Sequence, residues 1–360
     1  QLAACGQPRP AAGCRKAGGG RGLHRLTILA RHPLTMPVTA PDLTPSASLS
    51  PASAIATAST ETPVPGMDPV AVARWHTHRH RTSPWLHDEV GTRMAERLHW
   101  IKTPPASWLN WEPVHGGVKA HQAVAGMLEN SKLFVASALA GQAMSAINAD
   151  NSVAASLWAR VRGRAPVLAT PDTQVDMVWA NMCLHATHQP QAMLQRWHRH
   201  LQVDGFVMFS CLGPDSLREL SAVYHQLGWA PPCHSFTDMH DWGDMLVQQG
   251  FAAPVMDVET ITLTYASIER LVQELRSLGR NLHASRATTT RGRQWLADWQ
   301  RTLAKHWPRT PDGQLRLSFE VIHGHAFKPA PRVKVAASSA VSLDDMRGML
   351  GASRSARTPR

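Results

Sequence analysis

Apolar positions recur along this chain in two rhythms, and the switching between them predicts the fold class. From Ser83, the stretch SPWLHDEVGTRMAERLHWI spaces Leu86, Val90, Met94, Leu98 and Ile101 at threes and fours. That spacing predicts an amphipathic helix with Ser83 as N-cap and Pro84 at its first position. Short apolar runs then alternate with helical patterns. Strands are expected at Trp108 to Trp111, Leu133 to Ser137, Pro166 to Ala169 and Val175 to Ala180, with helices from about Lys119 and over Gln142 to Ile147. Pro190 opens a helix with Met193, Leu194, Trp197 and Leu201 on one face, and Asp204-Gly205 turns the chain into FVMFSCL. A strand apolar without interruption is one buried on both faces. TDMHDWGDMLVQQGF reads as a capped helix ending at Gly250, PVMDVETITLTY as a long strand, SIERLVQELRSLG as a helix stopped by Gly279, and RLSFEVIHGHAF as the last strand. Strands and helices alternating at this pitch imply a parallel sheet covered on both sides.

Composition narrows the function classes. With 360 residues and 43% hydrophobic content the chain can bury a core, and no run of 18 apolar residues suggests a membrane-spanning helix. Cys5, Cys14, Cys183, Cys211 and Cys233 form no C-x-x-C pair, which argues against a disulfide framework and a structural zinc, and fits a reducing cytoplasm. The net charge of +11 first suggests nucleic acid, but its distribution removes that reading. Residues 1–35 hold six Lys/Arg and no acid, and residues 332–360 hold six against Asp344 and Asp345, so the body between carries only +1. We therefore expect a disordered basic and Pro/Ala/Ser/Thr-rich tail at 1–66, one domain at 67–331 and a disordered basic tail at 332–360. The first stretch also has the look of an Arg-rich leader, with Met36 or Met67 as alternative starts.

One resemblance joins these elements. Val175 to Leu220 is similar to the fourth-to-fifth-strand segment of class I methyltransferases that use S-adenosylmethionine. GPDSLREL, FTDMHDWGDMLVQQGFAAPVMDVETITLTY and EVIHGHAF resemble, more narrowly, the malonyl-acyl-carrier-protein O-methyltransferases of biotin synthesis. The resemblance implies an α/β fold, a Rossmann-like, seven-stranded, mostly parallel sheet with helices on both faces and a helical lid insert at about 266–305. It implies S-adenosylmethionine as cofactor, bound at the C-terminal ends of the first strands, and methyl transfer to the carboxylate of a malonyl thioester on acyl-carrier protein. A lid is expected from the helix preceding the sheet together with the insert. Asn181 falls where the family lines the methyl-transfer pocket, and His325, which shares a strand face with His323, is a candidate to border the acyl pocket.

The front half departs from the family pattern. With Leu109 aligned to the first strand, Asn110 stands at the acid, Glu112 and Val114 stand at the first two glycines, and Gly116 alone coincides. A side chain at either glycine position is expected to fill the cofactor's space, and Glu112 to face its carboxylate with like charge. The second strand ends in Ser137 with no acid before Asp150, and the third loop, TPDTQ, leaves Asp172. Cofactor binding is thus expected to fall to Asn110, Gly116, Gly117 and Asp172. The alternative is a protein that keeps the fold, has lost the donor, and binds an acyl-carrier protein or another partner without catalysis.

Three further features carry expectations. HTHRH, His76 to His80, offers alternate imidazoles if extended, but without a neighbouring acid or cysteine no metal is assigned. Trp85, Trp108 and Trp111 are expected to cluster around the first loop. Residues 266–305 hold eight Lys/Arg against Glu269, Glu274 and Asp298, a net +5. That surplus is either a solvated face or a docking surface for an acidic carrier, with Arg286 and Arg293 as its candidates.

Overall fold

The computed structural model describes residues 64, 66–78, 83–149, 165–287 and 292–331. Apart from Val64 and Gly66, the two expected tails lie outside the described residues. Seven strands form one sheet: Ser107–Trp111 (β1), Lys132–Ala136 (β2), Val167–Leu168 (β3), Val175–Ala180 (β4), Leu201–Leu212 (β5), Ala252–Tyr265 (β6) and Leu315–Phe327 (β7). Their order is β3-β2-β1-β4-β5-β7-β6, with β1 to β5 parallel and β7 antiparallel to both β5 and β6. This is the class I methyltransferase arrangement that the resemblance implied. Strand order reverses between β1 and β4, which opens a crevice at the C-terminal ends of the parallel strands.

Strand alternation divides the core between the two faces. Leu109, Val178, Val207 and Phe209 point to one side, against Trp197 of the helix Pro190–His200 (α6) and Trp242 and Leu246 of the helix Met239–Gln248 (α8). Trp108, Met177, Trp179, Phe206 and Met208 point to the other, against Met94, Leu98, Val124 and Ala143. β5 is buried on both faces from Gly205 onward, as its apolar run predicts. Gly324 of β7 allows this packing, because a Cβ there would lie 2.2 Å from the Phe209 ring.

The helix expected from Ser83 runs over Trp85–Glu96 (α2) and then tightens into a 3-10 turn at Arg97–Trp100. Ser83 does not cap it; its hydroxyl donates to Asp88 Oδ2 at 2.6 Å. After β1 come a single turn, Pro113–Gly116 (α3), and the helix Val118–Met127 (α4), and after β2 the helix Ala140–Asn148 (α5). The helix Arg218–Gln226 (α7) follows β5, and β6 leads into Ile268–Leu278 (α9) and Arg293–His306 (α10). Ile268, Leu271, Val272 and Leu303 of this insert rest on Leu315, Leu317 and Phe319 of β7.

The residues before the sheet hold an element that the apolar rhythm did not predict, the helix Pro69–His76 (α1). Asp68 caps it by accepting from Val70 N at 2.8 Å and Ala71 N at 3.3 Å, and Pro69 presets its first turn. The same Asp68 carboxylate pairs with Arg286 of the insert at 2.6 Å. Asp68 N donates to Leu282 O, Ala284 N donates to Gly66 O, and Met67 forms a β-bridge with His283. α1 and the insert are therefore sewn together, and α1, rather than α2, is the insert's companion over the strand tips.

Candidate functional site

A cleft of about 570 Å³ opens at the ends of β1 to β4, between Trp111-Glu112, Ala136 to Ala138, Leu168-Ala169 and Met182-Cys183, with Val72, Trp75 and His76 of α1 as its roof. Its position is the one expected for a cofactor. The residues that line it are not the ones expected.

Glu112 carries the largest correction. Its backbone is left-handed, φ 54°, a conformation that costs a non-glycine residue ~1 kcal/mol or more. The turn swings the side chain onto the tip of β2, where Oε1 accepts from Ala138 N at 2.6 Å and Oε2 from the Ser137 hydroxyl at 2.7 Å. The carboxylate thus sits where β2 lacks an acid of its own, and is anchored to the residues that stand in that acid's place. Val114 packs into the core beside Met94 and Val124.

The four residues expected to bind cofactor do not line the cleft. Asn110 is buried with its amide 2.8 Å from His121 Nδ1. A Cβ at Gly116 would come within 3.0 Å of Asn181 O, and one at Gly117, φ +107°, within 2.7 Å of Asp88 Oδ1. The glycine pair therefore serves close packing of the α3–α4 junction against protein. There Asp88 accepts from Lys119 N at 2.8 Å. Asp172 is exposed in the Thr170–Thr173 turn.

The two catalytic candidates, Asn181 and His325, likewise do not line the cleft. The Asn181 amide donates to His87 O at 2.7 Å and to Gly116 O, and its carbonyl accepts from the Ser210 hydroxyl at 2.6 Å. Buried and engaged at both ends, it ties α2, the β1 loop and β5 together behind the cleft. His325 lies off the cleft with its ring centroid 5.5 Å from Phe206 and 4.6 Å from Phe327, and its neighbour His323 binds Glu259 Oε1 at 2.9 Å. Arg286 is held by Asp68, and Arg293 stands exposed at the start of α10. The three tryptophans do not cluster: Trp85 is 50% exposed, Trp108 stacks on His121 in the core, and Trp111 alone reaches the cleft. His76 and His78 of HTHRH sit at the end of a helix, not on an extended segment, and His80 lies outside the described residues. Among the described residues no three ligating side chains converge on a metal position, and Cys183, Cys211 and Cys233 are free thiols.

Sequence reasoning missed Trp75 and His185, and weighed His76 only as a metal ligand, not as part of the cleft wall. Trp75 stacks on His115 with centroids 5.5 Å apart and planes 10° apart. With His185, Ala186 and Leu278, it also walls a second, apolar pocket of about 130 Å³ under the insert, where Leu217, Leu220 and Phe319 complete the lining. Leu212 N donates to His185 Nδ1 at 3.3 Å, which leaves the ring proton on Nε2. Burial holds the His76 and His87 pKa values down to about 4 and His185 well below its ordinary value. These rings are neutral at pH 7, and among the cleft's lining residues Glu112 and Arg196 remain as the charged side chains. Two signals could have pointed here: the Asp68-Pro69 cap that starts α1, and the His-rich loop just after β4, where open α/β sheets bind ligands.

Sequence comparison relates this chain to known proteins. A methyltransferase domain family matches residues 130–209. The malonyl-acyl-carrier-protein O-methyltransferase of Laribacter hongkongensis is 36% identical over 276 residues, covering 74% of this chain and 88% of its own. The protein of that name from Gallionella capsiferriformans is 35% identical over 270 residues, covering 69% and 86%. Among solved structures, a putative methyltransferase of Bacillus halodurans aligns over 66% of this chain and 99% of its own at 15% identity, with a TM-score of 0.42. On the extent and identity of the sequence matches, this chain belongs to the malonyl-acyl-carrier-protein O-methyltransferase family.

Proposed function

We propose that this chain transfers the methyl group of S-adenosylmethionine to the free carboxylate of a malonyl thioester on acyl-carrier protein, the masking step of biotin synthesis. The observation that carries the reading is the adjacency of two cavities. The cleft at the tips of β1 to β4 meets the apolar pocket under the insert along a shared wall of Trp75, His185 and Leu278. A volume of about 570 Å³ lies within the ~300–1,000 Å³ usual for ligand pockets. With Glu112 anchored to the β2 tip, that volume stays open to an adenosyl group, so the residues present fit the cofactor.

When bound, S-adenosylmethionine supplies an electrophilic methyl group on a sulfonium cation. Glu112, which lines the cleft, would hold the ribose hydroxyls through the remaining lone pairs of its carboxylate, and its charge would favour the cation. The acceptor carboxylate needs no general base, because with a pKa near ~4 it is already ionised at neutral pH. What the protein supplies is orientation and dryness. His185, kept neutral by burial with its proton on Nε2, donates a hydrogen bond to that carboxylate without neutralising it. α1 and the insert exclude water above it. Nothing in the fold or among the relatives favours the non-catalytic alternative. A cytoplasmic setting belongs to this reading; no helix among the described residues is long and apolar enough to cross a membrane.

The test is incubation of the full chain with S-adenosylmethionine and malonyl-acyl-carrier protein. The expected result is a carrier heavier by one methyl group, labile to esterase. An unmodified carrier in a sample that binds S-adenosylhomocysteine would refute the reading.

A further inference from the structure

A third cavity, a recess of about 340 Å³, borders Trp75. Its walls include Arg74 and His78 from α1 and its extension, and Arg280, Leu282 and Arg286 from the insert, and no acid is among them. The recess shares Trp75, Arg280 and Leu282 with the apolar pocket, which in turn shares Trp75, His185 and Leu278 with the cleft. The three cavities thus adjoin in series: a cationic recess, an apolar pocket and the cleft.

We propose that this recess is a phosphate subsite, and that it receives the phosphate of the phosphopantetheine arm by which a carrier protein presents its thioester. The inference rests on the carrier-bound substrate proposed above. The sequence of surfaces matches such an arm, which has a phosphodiester at its protein end, a neutral amide chain, and then the thioester. Guanidinium groups bind phosphate through paired, charge-assisted hydrogen bonds. The three arginines are not equivalent. Arg286 is occupied by Asp68 at 2.6 Å, so it sets the recess wall. Arg280 is steadied by the carbonyls of Arg276 at 2.5 Å and Gly279 at 2.8 Å, and Arg74 is exposed in the last turn of α1. Arg74 and Arg280 are therefore the phosphate ligands, one from each of the two segments that the Asp68–Arg286 pair holds together.

The experiment compares two substrates that differ only in that phosphate, malonyl-pantetheine and malonyl-4′-phosphopantetheine. The native protein is expected to prefer the phosphorylated thioester by about tenfold or more in kcat/KM, carried in KM and weakening with salt. In the Arg74→Gln, Arg280→Gln double variant the preference falls to near unity, and Arg74→Lys retains part of it. A native ratio near unity, or a ratio unchanged in the double variant, overturns the subsite. Calorimetry with the unacylated arms separates this from the proposed reaction. In a protein that transfers no methyl group, 4′-phosphopantetheine binding about tenfold tighter than pantetheine, with the difference lost in the double variant, still supports the subsite. Equal binding of the two arms refutes it.

Discussion

Two buried glutamates in this protein are bound almost identically and do different work. Glu219 on α7 accepts from Ser318 N at 3.0 Å and from the Ser318 hydroxyl at 2.7 Å, and Glu112 accepts from Ala138 N and the Ser137 hydroxyl. Around Glu219 the charge is closed off by Arg316 at 3.3 Å and Arg218 at 3.8 Å. Glu112 makes no ion pair among the described residues, sits on a left-handed backbone and faces a cleft. A carboxylate neutralised by guanidinium holds structure. One that is hydrogen-bonded, strained and open to a cavity is the one we assign to a ligand.

The sharpest way to break this contrast is to remove the closed glutamate. Glu219→Ala leaves buried donors unpaired and should lower the unfolding free energy by about 4 kcal/mol in urea titrations, with the affinity for S-adenosylhomocysteine unchanged at temperatures where the variant is folded. Glu112→Gln should do the reverse. Its stability should stay within ~1 kcal/mol of native, while calorimetry shows S-adenosylhomocysteine affinity falling by about 2 kcal/mol, the scale of hydrogen bonds to a charged group. Equal losses of stability in the two variants would erase the distinction.

Acid should also separate the two sites. Burial lowers His76, His87 and His121, all on or behind the Glu112 cleft, to about 4. Their unfolded value is about 6.5, so between pH 6.5 and 4 the unfolded chain binds protons that the folded one does not. Stability should therefore fall as pH drops through that window, by about 2 kcal/mol at pH 5 for each of the three rings, and level off below it. In hydrogen exchange the loss should appear first in α1 and β1, ahead of α7 and β7. Uniform loosening would place the acid sensitivity elsewhere.

The rear of the molecule was legible because it is built from repeats of one physical requirement. FVMFSCL can lie only in a strand buried on both faces, and the apolar stripes of α8 and α9 each name the side that faces the sheet. The front was less legible because its signals are not periodic. Asn110, Gly116 and Gly117 have the residue types that cofactor loops use, yet their neighbours turn them inward onto His121, Asn181 and Asp88. Glu112 looked obstructive in a linear alignment, because a linear alignment carries no φ angle. Asn181 was chosen for its place at a strand tip, but three hydrogen bonds consume its polarity. Trp75 and His185 gain their roles from cavities that form only when segments about a hundred residues apart come together.

The stitching of α1 to the insert has a kinetic consequence. Residues about two hundred positions apart share one ion pair and one β-bridge above the strand tips. Lifting either half of the roof would break this pair and this bridge or carry the other half with it. If the proposed reaction runs beneath this seam, a carrier arm seated across it would hold the spent donor in place until the arm itself has left.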